Sequence, residues 1–287
     1  MITEGFQTLT KLLWGTGVGK IPGAYTLHRL LYERLREDTI KVQGSKMCVS
    51  MDNLPHSYAK TFQAYAFDTW EPLTTKLFKE VIRKDDVVLD LGANIGYYTL
   101  LASRLVGEEG RVIAFEPEPT NFEILTRNIL LNDSRNVLTI QKAVTDKKGK
   151  TNLYVDSKDT GAHTLCNDNR LHKHIEVDTV SLDEFLPSSV KVDVIKMDIE
   201  GSEMKALAGM SNVIERSNNL KMFMEYHSPM SMYTPSDIFH TLHNGYHFNI
   251  RVIEDYRKKR GCTNVGNPEE LDALCKRNTT VNLFLYR

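Results

Sequence analysis

Long apolar runs are missing from this sequence. Its hydrophobic stretches, such as residues 12–14 and residues 97–102, fall far short of the ~20 residues that a membrane-spanning helix requires. Residues 1–13 also lack a basic leader followed by a long apolar core, so no secretory signal is predicted. We therefore expect a cytoplasmic protein without a transmembrane segment.

Cysteine is scarce, and its spacing excludes the usual cysteine-built scaffolds. The chain has four cysteines, none of them in a Cys-x-x-Cys pair: Cys48, Cys166, Cys262 and Cys275. Scattered single cysteines favour reduced thiols over a disulfide framework or a zinc site. A chain of 287 residues can also bury a sizeable core without such crosslinks.

An excess of either charge is absent as well. The 36 basic and 37 acidic residues leave a net charge of −1. A nucleic-acid-binding protein usually carries a clear basic excess, so no nucleic-acid partner is predicted. With 41% hydrophobic and 25% charged residues, the composition is that of a globular protein.

Two regions differ in their hydrophobic pattern. Residues 1–60 contain two helix-like segments, broken at Pro22 and Gly23, and a hairpin-like segment at 40–49 that turns at Gly44 and Ser45. We interpret them as an N-terminal helical and hairpin extension that packs on the main domain. Contact with a membrane surface stays open because this region is partly basic, with Lys11, His28, Arg29, Arg34 and Arg36.

Residues 61–287 form the predicted main domain. Near-continuous apolar strands alternate there with helical segments, a pattern typical of a parallel sheet covered by helices on both faces. Such sheets bind ligands beyond the carboxyl ends of their strands. Functional residues are therefore expected where these strands end.

The first strand ends in a glycine-containing turn. Residues 90–96 read Asp-Leu-Gly-Ala-Asn-Ile-Gly, whereas the dinucleotide fingerprint needs glycines where Asn94 and Tyr97 stand. The Asp90 carboxylate would also repel a phosphate group. Glu116 follows the second strand, 20 residues after Gly96, where a carboxylate can accept hydrogen bonds from a ribose diol. This arrangement favours a nucleoside that carries a cation over one that carries a pyrophosphate.

Four motifs occur in order along the chain: residues 90–96, residues 115–117 (Phe-Glu-Pro), residues 143–144 (Ala-Val) followed by Asp146, and residues 195–203 (Ile-Lys-Met-Asp-Ile-Glu-Gly-Ser-Glu). Together they resemble the FkbM-type family of class I methyltransferases that use S-adenosylmethionine. The resemblance implies a Rossmann-like α/β fold with a seven-stranded, mostly parallel sheet and helices on both faces. In that fold the last strand, residues 280–286, is inserted antiparallel.

The resemblance also assigns residues to the cofactor, S-adenosyl-L-methionine. Glu116 would hold the ribose hydroxyls. Apart from the resemblance, Asp198 could hold the cofactor's ammonium group, because its strand end lies beside the cofactor cleft. Ala143 and Val144 would reach the adenine, and Glu71 would close over the methionine end. The residues expected around the methionine part are Asp90, Gly92, Ala93, Asn94 and Gly96.

A second polar cluster is predicted at two later strand ends. Asp198 and Glu200 share a face if their strand continues, and Glu225 shares one with His227. His227 is the candidate general base, with His163 as a second candidate, and Asp198 could orient the substrate hydroxyl or accept its proton. Glu203 suits the first turn of a helix for electrostatic reasons alone. No spacing demands a metal ion, so none is predicted.

The sequence therefore predicts an O-methyltransferase that acts on a hydroxyl of a small-molecule or glycan acceptor, either a carbohydrate or another natural product. Two alternatives remain. One is a nicotinamide-dependent Rossmann oxidoreductase, which Asn94 and Tyr97 disfavour. The other is a non-catalytic, cofactor-binding partner protein that uses its N-terminal helices to recruit other proteins.

Overall fold

The computed structural model describes residues 39–48, 64–156, 161–166, 173–227, 233–255, 261–277 and 280–287. The two predicted N-terminal helices lie outside these residues. The chain divides into two compact units, Met1–Trp70 and Glu71–Arg287, while the domain boundary after residue 60 stays a prediction. Among the described helices, none is both long and apolar enough to cross a bilayer.

The first unit contains an antiparallel hairpin of β1 (Thr39–Val42) and β2 (Ser45–Cys48). Gln43 and Gly44 connect the strands and both have positive φ, 47° and 86°. Two positive φ values give the turn a twist that matches the twist of the paired strands. The turn therefore lies one residue earlier than the sequence predicted.

The second unit is built on a mixed sheet of eight strands, not the seven predicted. Its strands are β3 (Val87–Leu91), β4 (Arg111–Phe115), β5 (Val137–Ile140), β9 (Val194–Met197), β10 (Lys221–His227), β11 (Asn249–Glu254), β12 (Gly261–Val265) and β13 (Thr280–Tyr286). Their order across the sheet is β12-β11-β13-β10-β9-β3-β4-β5.

The direction of the strands follows the prediction more closely than their number does. Strands β10, β9, β3, β4 and β5 run parallel, and β13 lies antiparallel between β10 and β11, as expected for the last strand. The additional strand is β12, which pairs antiparallel with β11 at the edge of the sheet. Its sequence, Gly-Cys-Thr-Asn-Val, is mostly exposed and lacks the apolar pattern by which the other strands were predicted.

Eight α-helices are described: α1 (Pro72–Val81), α2 (Tyr97–Val106), α3 (Pro119–Leu131), α4 (Leu182–Phe185), α5 (Glu203–Ala208), α6 (Ser211–Arg216), α7 (Pro235–Phe239) and α8 (Pro268–Arg277). A π-helical turn, His240–Gly245, continues α7. The sequence of residues 202–214 predicts one helix, but the structure divides this region into α5 and α6. Gly209 separates them and lies so close to the carbonyl of Thr145 that a Cβ there would overlap its oxygen.

Helices cover both faces of the sheet. On β10, Met222 and Met224 point into the core that α5 and α6 complete with residues such as Leu207 and Val213. Phe223 points to the opposite face, where its ring lies 5.4 Å from that of Phe78 on α1. This second face also carries the charged residues described below.

A separate three-stranded sheet has the order β6-β8-β7, with β6 (Ala143–Val144), β7 (Gly149–Tyr154) and β8 (His174–Val180). The sequence of residues 137–144 predicts one strand, but the structure has two strands there, β5 and β6, in two different sheets. The backbone bends between them, where the Lys142 N–H donates to the Ile140 carbonyl at 3.0 Å.

Candidate active site

The turn after β3 brings three parts of the chain close together. Gly92 has a φ of 81°, and a Cβ there would overlap the carbonyl oxygen of Asp198. The N–H groups of Gly92 and Ala93 donate to the Phe115 carbonyl at 3.0 and 2.9 Å. Glycine at 92 thus allows the ends of β3, β4 and β9 to meet.

Gly96 ends this turn and begins α2. Its φ is 97°, and a Cβ would lie 2.8 Å from Cδ1 of Leu125 on α3. Asn128, also on α3, donates from Nδ2 to the Ile95 carbonyl at 2.8 Å. Helix α3 therefore supports the turn from one side, and a side chain at position 96 would have to displace Leu125.

Glu116, directly after β4, contacts the same turn. One of its carboxylate oxygens accepts from the Asn94 N–H at 2.8 Å, and the other accepts from the Glu118 N–H at 2.9 Å. Asn94 has a φ of 49°, in the left-handed region. Burial raises the pKa of Glu116 to about 7, although the two N–H donors act against that rise. A carboxylate oxygen that accepts one hydrogen bond retains a lone pair for another donor.

Three other predicted cofactor residues, Asp90, Ala143 and Val144, are also buried. Asp90 is buried and accepts a hydrogen bond from Thr99 Oγ1 at 2.5 Å; burial raises its pKa to about 6. Val144 packs in the main core, and Ala143 packs in a small cluster with Leu153. The contact of Ala143 and Val144 with the adenine stays a prediction.

A buried lysine lies at the centre of the charged cluster. Lys196 on β9 is 2% exposed, and its Nζ lies 3.2 Å from Asp198 Oδ2 and 5.1 Å from the centre of the Tyr98 ring. The Tyr98 hydroxyl donates to Glu71 Oε2 at 2.5 Å. Single oxygens of Glu71, Asp198 and Glu225 all lie within 4.8 Å of one another.

The charges in this cluster depend on one another. Burial acts to lower the pKa of Lys196, but four carboxyl groups outweigh it and raise that pKa: Asp198, Glu71, Glu225 and Asp90. Burial would raise the pKa of Asp198, yet Lys196 is close enough to lower it below its usual range. Burial raises the pKa of Glu71, and it raises that of Glu225 to about 8. At neutral pH, Lys196 and Asp198 therefore form an ion pair, and the cluster also retains protons.

His227, at the end of β10, lies between two carboxyl groups. Its Nε2 is 3.0 Å from Glu200 Oε2 and 3.3 Å from Glu225 Oε1, and its Nδ1 is 2.9 Å from Thr280 Oγ1. Burial alone would lower the pKa of His227, but Glu225 and Glu200 raise it to about 9. Burial raises the pKa of Glu200 to about 9 as well. Because these groups interact strongly, they share their protons as one unit.

Glu200 reaches His227 by a route that the sequence did not indicate. Strand β9 ends at Met197, so Asp198 and Glu200 do not alternate along a strand. Glu200 instead has a φ of 51°, followed by 95° at Gly201. Glu203 begins α5, and its carboxylate accepts from the Gly201 N–H at 2.9 Å. This agrees with a structural role for Glu203.

Two further possibilities are a catalytic role for His163 and a metal ion held by the carboxylates, and nearby contacts bear on each of them. His163 accepts a hydrogen bond at Nδ1 from the Asp156 N–H at 3.2 Å. The carboxylates of Glu71, Asp198 and Glu225 are close enough to hold a cation, but the Lys196 ammonium already lies against one of them. The arrangement therefore gives no reason to add a metal ion.

Sequence reasoning missed Lys196 and Tyr98. A signal for Lys196 is present, since a charged residue within the apolar strand Val-Ile-Lys-Met must be buried with a partner. Tyr98 gives no comparable signal, because an aromatic residue at the start of an amphipathic helix is usually a core residue.

Three features define the class of methyltransferases that use S-adenosylmethionine. They are a largely parallel sheet whose last strand is reversed, a glycine turn without the dinucleotide pattern, and an acidic residue after the second strand. Residues 90–253, more than half of the chain, match the model of the Methyltransferase FkbM domain. The chain therefore belongs to the FkbM methyltransferase family, which confirms the resemblance noted in the sequence. S-adenosylmethionine is the cofactor of this family.

Individual relatives match about half of the chain. It is 29% identical over 148 residues to the hexuronic acid methyltransferase AglP of Haloferax volcanii, covering 50% of this chain and 57% of that protein. It is 28% identical over 149 residues to Methyltransferase 1 of Beauveria bassiana, covering 45% and 59%. The chain thus spans less than two thirds of the length of these relatives. A solved structure, the methyltransferase FkbM from Methylobacillus flagellatus, aligns with 17% identity and a TM-score of 0.42, covering 82% of this chain and 56% of that one.

Proposed function

We propose that this chain transfers a methyl group from S-adenosylmethionine to a hydroxyl group of a carbohydrate or natural-product acceptor. The observation that carries the proposal is the position of His227 between Glu200 and Glu225, beside the Lys196–Asp198 ion pair and the glycine turn. A cationic cofactor and a hydroxyl that must lose a proton both suit a buried site rich in carboxylates. One relative is named a hexuronic acid methyltransferase, which supports a carbohydrate acceptor.

The donor groups of the site fit the cofactor. S-adenosylmethionine carries a ribose diol, an ammonium group and a sulfonium, and when bound it supplies an electrophilic methyl group. Glu116 would accept the ribose hydroxyls, and the acidic side chains of Glu71 and Asp198 would attract the positive charges. The turn residues Gly92, Ala93, Asn94 and Gly96 would border the methionine part.

Asp198 contributes mainly by its charge. Lys196 keeps it ionised despite its surroundings, so it offers a fixed acceptor at the carboxyl end of β9. A fixed acceptor can orient an ammonium group or a hydroxyl without reorganisation during the reaction. Alignment of the reacting atoms supplies much of the acceleration in a direct displacement.

His227 is the proposed proton acceptor. Only the neutral imidazole can accept a proton, and the flanking carboxyl groups of Glu200 and Glu225 make that form a stronger base. The same carboxyl groups stabilise the imidazolium that results. The population of neutral His227, and with it turnover, should therefore rise with pH towards about 9.

A methyl-transfer assay tests the proposal. The full chain is incubated with S-adenosylmethionine carrying a CD₃ group and with a panel of sugars, glycosides and hydroxylated natural products, and products are identified by mass and NMR. The expected result is a CD₃ ether on an acceptor oxygen. Transfer to nitrogen or carbon would contradict the hydroxyl assignment. Binding of S-adenosylhomocysteine without any transfer would favour the non-catalytic alternative, and calorimetric binding of NADH in its place would favour the oxidoreductase.

A further inference from the structure

The turn after β9 holds a non-glycine residue in an unfavourable conformation at the candidate active site. Glu200 has a φ of 51° and is followed by Gly201 with a φ of 95°. Residues with a Cβ adopt the left-handed region rarely, and they persist there only where their surroundings hold them. The contacts that hold Glu200 therefore determine where its carboxylate points.

Both polar groups of the peptide unit between Glu200 and Gly201 are held. The Gly201 N–H donates to Glu203 Oε1 at 2.9 Å, within the same turn. The Glu200 carbonyl accepts from Thr164 Oγ1 at 2.5 Å, across 36 residues of sequence. Of these two anchors, only Thr164 comes from another part of the fold, the segment that follows β7.

Thr164 is itself well fixed. Its side chain is fully buried, and its backbone exchanges hydrogen bonds with Tyr154 at 2.8 and 3.1 Å. Its Oγ1 also accepts from the Cys166 N–H at 3.0 Å, which leaves the hydroxyl hydrogen for the Glu200 carbonyl. Cys166 adds a weaker contact from Sγ to the Gly201 carbonyl at 3.3 Å.

We propose that Thr164 is a positioning residue for the pair formed by Glu200 and His227. Its hydroxyl holds the Glu200 carbonyl and so keeps the Glu200 carboxylate 3.0 Å from His227 Nε2. Without this hydroxyl, Glu200 can relax to negative φ, which redirects its Cα–Cβ bond away from the imidazole. The inference rests on the proposed function for its catalytic meaning but not for its geometry.

The test measures how strongly His227 holds its proton, since that depends on the carboxyl groups around it. Glu200 from the turn, Glu225 from β10 and Asp198 from the end of β9 all face His227, and Glu203 on α5 also interacts with it. The His227 Cε1–H signal is followed by NMR against pH in the full chain, with its assignment from His227→Gln. Thr164→Val removes the hydroxyl and keeps the shape, and Thr164→Ser is the matched control that keeps the hydroxyl.

We expect the pKa of His227 to be about 9 in the unaltered chain and to remain there in Thr164→Ser. In Thr164→Val it should fall by about one unit or more. In a Glu200→Gln background, Thr164→Val should cause no further fall. An unchanged pKa in folded Thr164→Val would overturn the proposal. So would an equal fall in Thr164→Ser, because packing of the methyl group would then explain the effect.

A folding defect does not remove the test. If Thr164→Val shows no cooperative thermal transition, Thr164→Cys keeps a weak S–H donor and should give an intermediate fall in the pKa of His227; no fall there contradicts the inference. Methyl transfer is measured separately on the same proteins. If the pKa of His227 changes as expected but no methyl transfer occurs, Thr164 remains the positioning residue of this pair and the proposed function is wrong. If methyl transfer occurs but the pKa values do not change, the proposed function stands and the role of Thr164 is wrong.

Discussion

Replacing Glu200 by glutamine should lower the pKa of His227. The substitution keeps the size of the side chain and removes a carboxyl group that lies 3.0 Å from Nε2 and shares its proton with the imidazole. The pKa of His227 lies at about 9, compared with an ordinary value of 6.5, and two flanking carboxyl groups raise it. An opposite charge at such a distance shifts a pKa by about 1–3 units, so the loss of one of the two should lower that of His227 by about 1–1.5 units.

This change has a predictable kinetic result. At pH 7.5, a histidine with a pKa near 9 is only about 3% neutral, whereas one with a pKa near 7.75 is about one third neutral. The rising limb of the pH–rate profile of Glu200→Gln should therefore move to lower pH by the same 1–1.5 units. Its plateau should be lower, because the imidazole is then a weaker base.

NMR titration of His227 and the pH dependence of kcat measure the two effects independently. Glu176→Gln is a suitable control, since Glu176 is an exposed acid paired with Lys150 on the separate small sheet. A His227 pKa that stays the same in folded Glu200→Gln would mean that the Glu200 carboxyl group does not influence the imidazole. The shared titration of Glu200 and His227 would then be wrong.

Three other substitutions test separate parts of the site. Glu116→Ala should weaken S-adenosylhomocysteine binding by ~1.5–3 kcal/mol, the contribution of hydrogen bonds to a charged group; unchanged affinity by calorimetry would remove Glu116 from the cofactor site. Gly96→Val should lower the melting temperature, because residue 96 has a φ of 97° and its Cβ would have to displace Leu125 Cδ1 at 2.8 Å; a normal melting temperature would refute this. Lys196→Met should lower the free energy of unfolding at pH 7 by up to ~3–5 kcal/mol, because it leaves the partly buried Asp198 carboxylate without its partner. That loss should shrink in acid, where Asp198 is protonated, and a loss in urea titrations that does not vary with pH would count against the ion pair.

The sequence by itself determined the class of fold and the part of the site formed by Glu116 and the glycine turn after β3. Apolar strands that alternate with helices predicted the α/β class, and the rule that ligands bind at carboxyl ends of strands linked Glu116 to the glycine turn. The hydrogen bond between the Asn94 N–H and Glu116 agrees with that link. These inferences succeeded because they depend on local periodicity and on the direction of parallel strands. The polar edge strand β12 was missed because it has no such periodicity.

Only the tertiary structure decided how the charged cluster around Lys196 and His227 is assembled. The sequence placed Asp198 and Glu200 on one strand face, but β9 ends first, and a left-handed turn brings Glu200 to His227. That conformation is held by the Thr164 hydroxyl from a distant segment, which no local pattern encodes. The ionisation of Lys196 depends likewise on Asp90 and Glu225, which lie on two strands, on Asp198, which follows β9, and on Glu71, which precedes α1. Proton affinities in a buried cluster follow from distances between groups, and those distances exist only once the chain has folded.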